Sequence, residues 1–576
     1  MNFATSPVLE LRLPTWRSRL LLGLFLLAFI GLGCRAVWLQ GMNKDFLQQK
    51  GEARYSRIIE ISANRGKITD RNGEILAIST PVKSVWAIPE DAQPTSAQLS
   101  RLSALLEMPP QDIRKKLGET GRDFVYLKRQ VPPEAAEKVA EMQLPGLFQS
   151  REYRRYYPAG EVMAHMLGFT GVDEAGQEGI ELAFQQQLAG KAGSRRVIKD
   201  RRGQIVEDME SIKAAQEGHN LTLALDAKIQ SLAFMQLKAA IEQHKAKAGG
   251  IVVLDIRSGE VLALANLPTY NPNNRARLTG AQLRNRAVTD SFEPGSTLKP
   301  FTIALALETG TVRPETVIQT APGTLTIGAA TIRDAHAESA LTVEQVIQKS
   351  SNVGAAKIAL SMSAEAMAGM FASVGFGAMP HSGFPGEVTG RVRPYKTWRP
   401  IEQATMSYGH GISVSLIQLA RAYSLFARDG EVVPLSLTRV EGPVSAKPVI
   451  SAQTARQVRH MLELAVQPGG TAPRAQIMGY RVAGKTGTAH KQENGAYAAT
   501  KYVSSFVGFA PASDPRLVIA VMIDEPSAGQ YYGGAVAAPV FASVMAGALR
   551  RLDIAPDAPM TPIELPAEGQ EVKESI

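Results

Sequence analysis

Cysteine is almost missing from the chain: Cys34 is the single one in 576 residues. No internal disulfide can form, and cysteine usage says nothing about the redox compartment. With no Cys pair, and eight histidines that form no H-E-x-x-H, no metal site is expected. No cofactor is expected either. Aromatic residues are sparse at 6%, and no basic run is interleaved with them, so nucleic acid is not an expected partner. What is present is 45% hydrophobic and 20% charged residues, a globular balance with room for several domains. The formal net charge of +9, from 63 Lys and Arg against 54 Asp and Glu, suits a membrane surface or another anionic partner.

Leu20 to Cys34, "LLLGLFLLAFIGLGC", carries no charge, and after Arg35 the apolar "AVWL" follows. With Arg35 snorkelling, Leu20 to Leu39 supplies the ~20 residues of a bilayer helix. Arg12, Arg17 and Arg19 precede it against Glu10 alone, which keeps the N-terminus cytoplasmic. The expected layout is a cytoplasmic tail over 1–19, a transmembrane helix over 20–40, and everything beyond outside the inner membrane. A cleaved signal peptide fits less well, for a small-x-small site is missing and the run is long.

"GYRVAGKTGTAHK", residues 479–491, has two incompatible readings. Gly479, Gly484, Lys485 and Thr486 fit the phosphate-cradling loop of nucleotide hydrolases, whereas Lys485-Thr486-Gly487 fits the K-T-G of penicillin-reactive serine enzymes. A phosphate loop must run into a helix. Here Gly487, the Asn494-Gly495 turn signal and the β-rich "KYVSSFVGF" follow, so a strand hairpin is expected.

The serine-enzyme reading needs companions, and they stand in order. "EPGSTLKPF" holds Ser296 and Lys299, the one Ser-x-x-Lys of the chain, and "KSSNVG" holds Ser350, Ser351 and Asn352 as S-x-N. Ser and Lys three apart share a helix face, and Pro300 is tolerated only in a first turn, so Ser296 is expected at a helix start. The positive helix end favours negative charge developing on the serine oxygen. Lys299 acts as a base only when neutral, which requires desolvation or a like charge such as Lys485. Ser350 suits a proton relay and Asn352 an acyl-donor contact, while "SSN" also reads as a helix cap. Lys485 with the Thr486 and Thr488 hydroxyls forms a cationic, donor-rich edge suited to a substrate carboxylate, and Gly487 permits close approach.

These motifs, with "RGKITDRNGEILA" at 65–77, "REYRRYYPAGEVMAHMLGFTG" at 151–171, "GQEGIEL" at 176–182, "GGIVVLDIRSGEVLALANLPTYNPN" at 249–273 and "SYGHGISVS" at 407–415, resemble the class B penicillin-binding proteins. The resemblance is greatest to the division-specific peptidoglycan transpeptidases of Gram-negative bacteria. It implies D,D-transpeptidation: Ser296 attacks a D-Ala-D-Ala stem peptide, D-alanine leaves, and an amine of a neighbouring stem resolves the acyl-enzyme. β-Lactams would acylate the same serine. The family's catalytic positions fall on Ser296, Lys299, Ser350, Asn352 and Lys485, and its substrate-binding positions on Thr486, Gly487 and Thr488. The amides of Ser296 and Thr488 are the implied oxyanion hole.

The implied fold is α+β and multi-domain: a β-rich pedestal over 41–218 with a helical insert, a linker over 219–249, and a transpeptidase domain over 250–552 built as an antiparallel sheet flanked by helices. Residues 553–576, rich in Pro and Glu, are expected to be disordered. "DRNGE" and "KDRRG" read as structural turns, and His410 as a structural histidine. Tyr531 to Gly534 is a candidate lining for the acceptor side. Implied partners are stem peptides as donor and amine acceptor, β-lactams, a multi-span lipid II polymerase and other division proteins. An elongation-branch transpeptidase and a penicillin-binding scaffold or sensor that does not cross-link are the alternatives.

Overall fold

The computed structural model describes residues 15–42, 56–119, 122, 124–199, 205–493, 495–563 and 572–575. Helix α1 (Thr15–Val37) opens it. Thr15–Gln40 holds an 18-residue window with a mean hydropathy of 2.3 and has no buried residue, long and apolar enough to cross a membrane. The rest is mixed α+β and divides into two compact units.

One unit gathers residues 1–63, 82–152 and 191–216. In it Ser56–Ile61, Gly193–Lys199 and Ile205–Lys213 make an antiparallel sheet. The expected helical insert is Ser96–Leu106 and Pro110–Leu117, the first started by a Thr95–Gln98 capping box. Leu99, Leu102 and Ile113 turn inward onto Val85 and Leu127, so the insert is held by its own small apolar core.

The other unit gathers residues 64–81, 153–190 and 217–576, and its centre is a five-stranded antiparallel sheet. Its strands are β1 (Ala248–Asp255), β2 (Val261–Leu267), β3 (Ala483–Glu493), β4 (Ala496–Ala510) and β5 (Leu517–Asp524), in the order β2-β1-β5-β4-β3. Both expected hairpins form. Ser258 and Gly259 turn β1 into β2, and β3 pairs with β4 through Lys485↔Val507 and Thr488↔Ser504. Asn494 lies outside the described residues.

Strand side chains alternate, and here both faces are covered, which is why the strands read as unbroken apolar runs. Ile251, Val253, Ile519 and Val521 meet helices α2 (Ala227–Gln243) and α5 (Ala538–Arg551). Val252, Leu254, Val518 and Ala520 face the opposite core, which holds α3 (Lys299–Glu308) and α4 (Asn352–Leu360).

Three expectations about boundaries need correction. The stretch 219–249 is no linker: Asp226 caps α2 by accepting from the Lys228 and Ile229 amides, and Ile229, Phe234 and Leu237 are core residues. Residues 64–81 and 153–190 do not group with the rest of 41–218, because Ile68, Tyr157, Leu167 and Ile180 share one apolar core with Val252 and Phe301. Nor is all of 553–576 loose, for Glu574 and Ser575 are buried. The turn "DRNGE" forms as expected, with Asp70 Oδ1 accepting from the Asn72 and Glu74 amides. Of "KDRRG" only Lys199 is among the described residues.

Candidate active site

Pro294 leads into a single 3₁₀ turn, Gly295–Leu298, that runs on as α3 with Pro300 in its first turn. Ser296 therefore sits at a helix start, as its proline neighbour requires. Gly295 has φ +56, in the left-handed region that disfavours a side chain, and a Cβ there would lie 3.2 Å from the Thr488 carbonyl. The Ser296 turn thus lies directly against strand β3. A Cβ on Gly487 would come within 2.6 Å of the Pro294 carbonyl, so the third motif needs its glycine for this packing.

Ser296 is 3% exposed and Lys299 is fully buried. The Lys299 Nζ donates to Ser296 Oγ at 2.8 Å, to Ser350 Oγ at 3.0 Å and to the Ser350 carbonyl at 2.5 Å. First and second motifs therefore meet on one amine. Ser350 has φ +61, a conformation costly for a non-glycine residue, and it aims both its oxygens at that amine. Ser351 and Asn352 start α4. Ser351 Oγ caps the helix by accepting from the Gly354 amide at 2.8 Å, and Asn352 Nδ2 reaches the Arg333 carbonyl at 3.4 Å. The capping reading of "SSN" thus holds for Ser351 while Ser350 faces the lysine.

On β3, Lys485 and Thr486 are fully buried, and the Lys485 Nζ reaches Thr486 Oγ1 at 3.3 Å and Thr471 Oγ1 at 3.4 Å. Both residues lie inside a strand, and no helix N-terminus follows them, which removes the phosphate-loop reading. Thr488 Oγ1 accepts from the Gly533 amide at 2.9 Å.

The electrostatics follow from this crowding. Burial, and then the charge of Lys485, push the Lys299 pKa well below that of an ordinary lysine, with Asp334 and Glu574 acting the other way. Burial lowers Lys485 to about 8, opposed by Glu574. His410 is held neutral, lowered to about 4 by burial and by Lys299, with its ring against Tyr408 and Tyr497. Its loop is structural: Gly409, at φ +89, lets its backbone approach the Gly295 carbonyl, where a Cβ would come within 2.2 Å.

Four residues at the site carry no motif. Asp334 Oδ2 accepts from Ser351 Oγ at 2.6 Å, and its Oδ1 accepts from the Asn352 and Val353 amides, so it is the anion at the α4 N-terminus. Thr471 bonds Thr486 Oγ1 at 3.0 Å. Gly534 and Glu574 complete the group: Glu574 accepts from Thr488 Oγ1 at 2.9 Å and from the Gly534 amide at 2.8 Å. Only Gly534 was within a stretch singled out by sequence. Glu574 sits where composition favoured disorder.

Comparison with known proteins places this geometry in context. The penicillin binding protein transpeptidase domain family matches residues 249–546, and the penicillin-binding protein dimerisation domain family matches residues 60–223. The probable peptidoglycan D,D-transpeptidase PenA of Neisseria gonorrhoeae is 45% identical over 537 residues, 92% of each chain. The peptidoglycan D,D-transpeptidase FtsI of Escherichia coli strain K12 is 42% identical over 550 residues, 94% of this chain and 93% of that one. The solved transpeptidase domain of Burkholderia pseudomallei penicillin-binding protein 3 is 48% identical, with a TM-score of 0.55 over 58% of this chain and 98% of its own.

Proposed function

The chain belongs to the penicillin-binding protein transpeptidases, the peptidoglycan D,D-transpeptidases of the FtsI and PenA class, and from that premise we propose that Ser296 is its acylating nucleophile and Lys299 the base that activates it. The observation that carries this reading is the 2.8 Å bond between a fully buried amine and the Ser296 hydroxyl. A neutral Lys299 takes the serine proton as Oγ attacks the donor carbonyl, and Ser350, 3.0 Å away, passes that proton to the departing D-alanine amine. Lys485, Thr486 and Thr488 hold the donor carboxylate, Gly487 lets the strand approach, and Asn352 orients the donor backbone. The oxyanion is received by the amides of Ser296 and Thr488, the second lying beside Gly295. An amine of a second stem then attacks the acyl-enzyme, with Lys299 and Ser350 running the proton transfers in reverse.

Septal cross-linking during cell division is the proposed role, supported by the relative named FtsI and by S-x-N in the second motif. The N-terminus is cytoplasmic and the catalytic unit periplasmic, supported by Arg12, Arg17 and Arg19 before the apolar helix. A multi-span lipid II polymerase is the proposed partner, contacted through the anchor and residues 41–218.

Labelling of membranes with a fluorescent penicillin tests the nucleophile, and Ser296→Ala abolishes the label. Incubation with a stem-peptide donor and an amine acceptor, in the presence of the polymerase, then tests cross-linking. Label without cross-linked product would replace the transpeptidase with a penicillin-binding scaffold.

A further inference from the structure

A carboxylate buried to 3% exposure is costly unless donors and cations compensate it. Glu574 finds its donors at the edge assigned above to the donor carboxylate, from Thr488 of that edge and from the neighbouring Gly534. Thr488 Oγ1 and the Gly534 amide donate to its two oxygens, and the Lys485 charge works against the rise in its pKa that burial causes. The next residue anchors elsewhere. Ser575 Oγ accepts from the Ala335 amide at 2.9 Å, one residue beyond the Asp334 that caps α4. Residues 572–575 therefore bridge from the K-T-G strand to the loop that supports the S-x-N motif. A donor peptide must occupy the same passage between those two motifs, with a carboxylate that can take the place of Glu574 at Thr488.

We propose that residues 572–575 are an internal occupant of the donor cleft, Glu574 standing in for the free carboxylate of the stem peptide, so that acylation of Ser296 requires this segment to leave. The proposal rests on the reading of Lys485, Thr486 and Thr488 as the carboxylate edge. A tethered acid needs little intrinsic affinity for such a site, because the chain keeps it at roughly millimolar effective concentration. Occupancy lowers the apparent rate of acylation by the fraction of molecules in which the cleft is open. Of the two anchors, Glu574 and Ser575, only the first is an acid, so removing its carboxylate weakens the grip.

The test is the second-order rate constant for acylation by a fluorescent penicillin, measured on the full chain in detergent and on three variants. Deletion of residues 564–576 and Glu574→Gln each raise the constant, by about tenfold if the cleft is open in about a tenth of molecules. Glu441→Gln, the same charge change at an exposed residue of the same unit, leaves it unchanged. A synthetic peptide of residues 564–576 added to the truncated protein lowers the constant competitively, and the Glu574→Gln peptide does so less. Equal constants in all proteins, with label confined to Ser296, would overturn the internal occupant while leaving the active-site reading intact. Label that persists in Ser296→Ala overturns the site reading, and the occupant with it.

Discussion

Lys485 and Lys299 are buried together, and the charge of the first lowers the proton affinity of the second. The sign of the pH dependence follows. With Lys299 as the proposed base, acylation requires its neutral form, so the rate rises with pH through a Lys299 pKa that lies well below the ordinary lysine value. In its proposed role of holding a carboxylate Lys485 must stay charged, so the rate falls again above its own value of about 8. A bell-shaped profile for β-lactam acylation is expected. In Lys485→Met the alkaline limb disappears and the acid limb moves to higher pH, because Lys299 has lost a like charge. An acid limb that stays in place would show that Lys485 does not tune the base.

Ser350 and Ser351 are adjacent, yet they separate cleanly by role. Ser350→Ala keeps the carbonyl contact to Lys299 and removes only the hydroxyl, so acylation falls by ~10²-fold, the scale of a lost proton-transfer group. Ser350→Gly loses the same hydroxyl but relieves the left-handed strain at φ +61, so it melts above Ser350→Ala by the equivalent of ~1 kcal/mol. Ser351→Ala removes the α4 cap and the bond to Asp334, costs ~1–2 kcal/mol in thermal denaturation, and leaves the acylation rate within a small factor. Equal catalytic losses in Ser350→Ala and Ser351→Ala would mean that both act only through the fold.

The residues proposed as nucleophile, base and carboxylate edge stand out in the sequence because their chemistry fixes residue type and spacing: Ser and Lys three apart on a helix, β-branched runs around a turn signal, and a proline that admits only a first turn. Asp334 and Thr471 were not legible. An acid capping a helix from a loop 17 residues upstream of Ser351, and a hydroxyl bonding Thr486 from 15 residues away, leave no local pattern. Composition misled at two places. Residues 219–249 carry no motif and read as a linker, yet α2 places Ile229, Phe234 and Leu237 in the core over one sheet face. Residues 553–576 look like a polar tail, yet Glu574 is buried and accepts from Thr488 Oγ1 and the Gly534 amide, long-range partners that composition does not show.

Gly409 tests how tightly the nucleophile turn is clamped. Its φ of +89 and the 2.2 Å approach of a built Cβ to the Gly295 carbonyl mean that Gly409→Ala must displace one backbone or the other. The expected result is a drop in acylation of at least ~10²-fold, since misplacing a nucleophile by about an ångström costs that much. Gly280→Ala, where a Cβ meets nothing, serves as the control and acylates normally. Normal acylation by Gly409→Ala would show that the loop yields without moving Ser296.

Three of the motifs that carry the family resemblance have no place in the chemistry, and Glu181 explains them. Its carboxylate is fully buried and accepts from Arg65 Nε and Arg155 Nε, each at 2.6 Å, so "RGKITDRNGE", "REYRRYY" and "GQEGIEL" meet on one side chain. Arg65 also donates to the Glu174 and Glu181 carbonyls, and Arg155 to Ser79 Oγ, which ties the segments 64–81 and 153–190 together. Such a cluster adds little over a well-packed apolar one, but breaking it strands two buried cations. Glu181→Gln therefore destabilises its unit by ~3–5 kcal/mol, read as a large loss of melting temperature. Acylation measured well below that melting point stays near wild type, because no atom of the triad reaches Ser296. Loss of acylation in a protein that still melts normally would instead assign these motifs to catalysis.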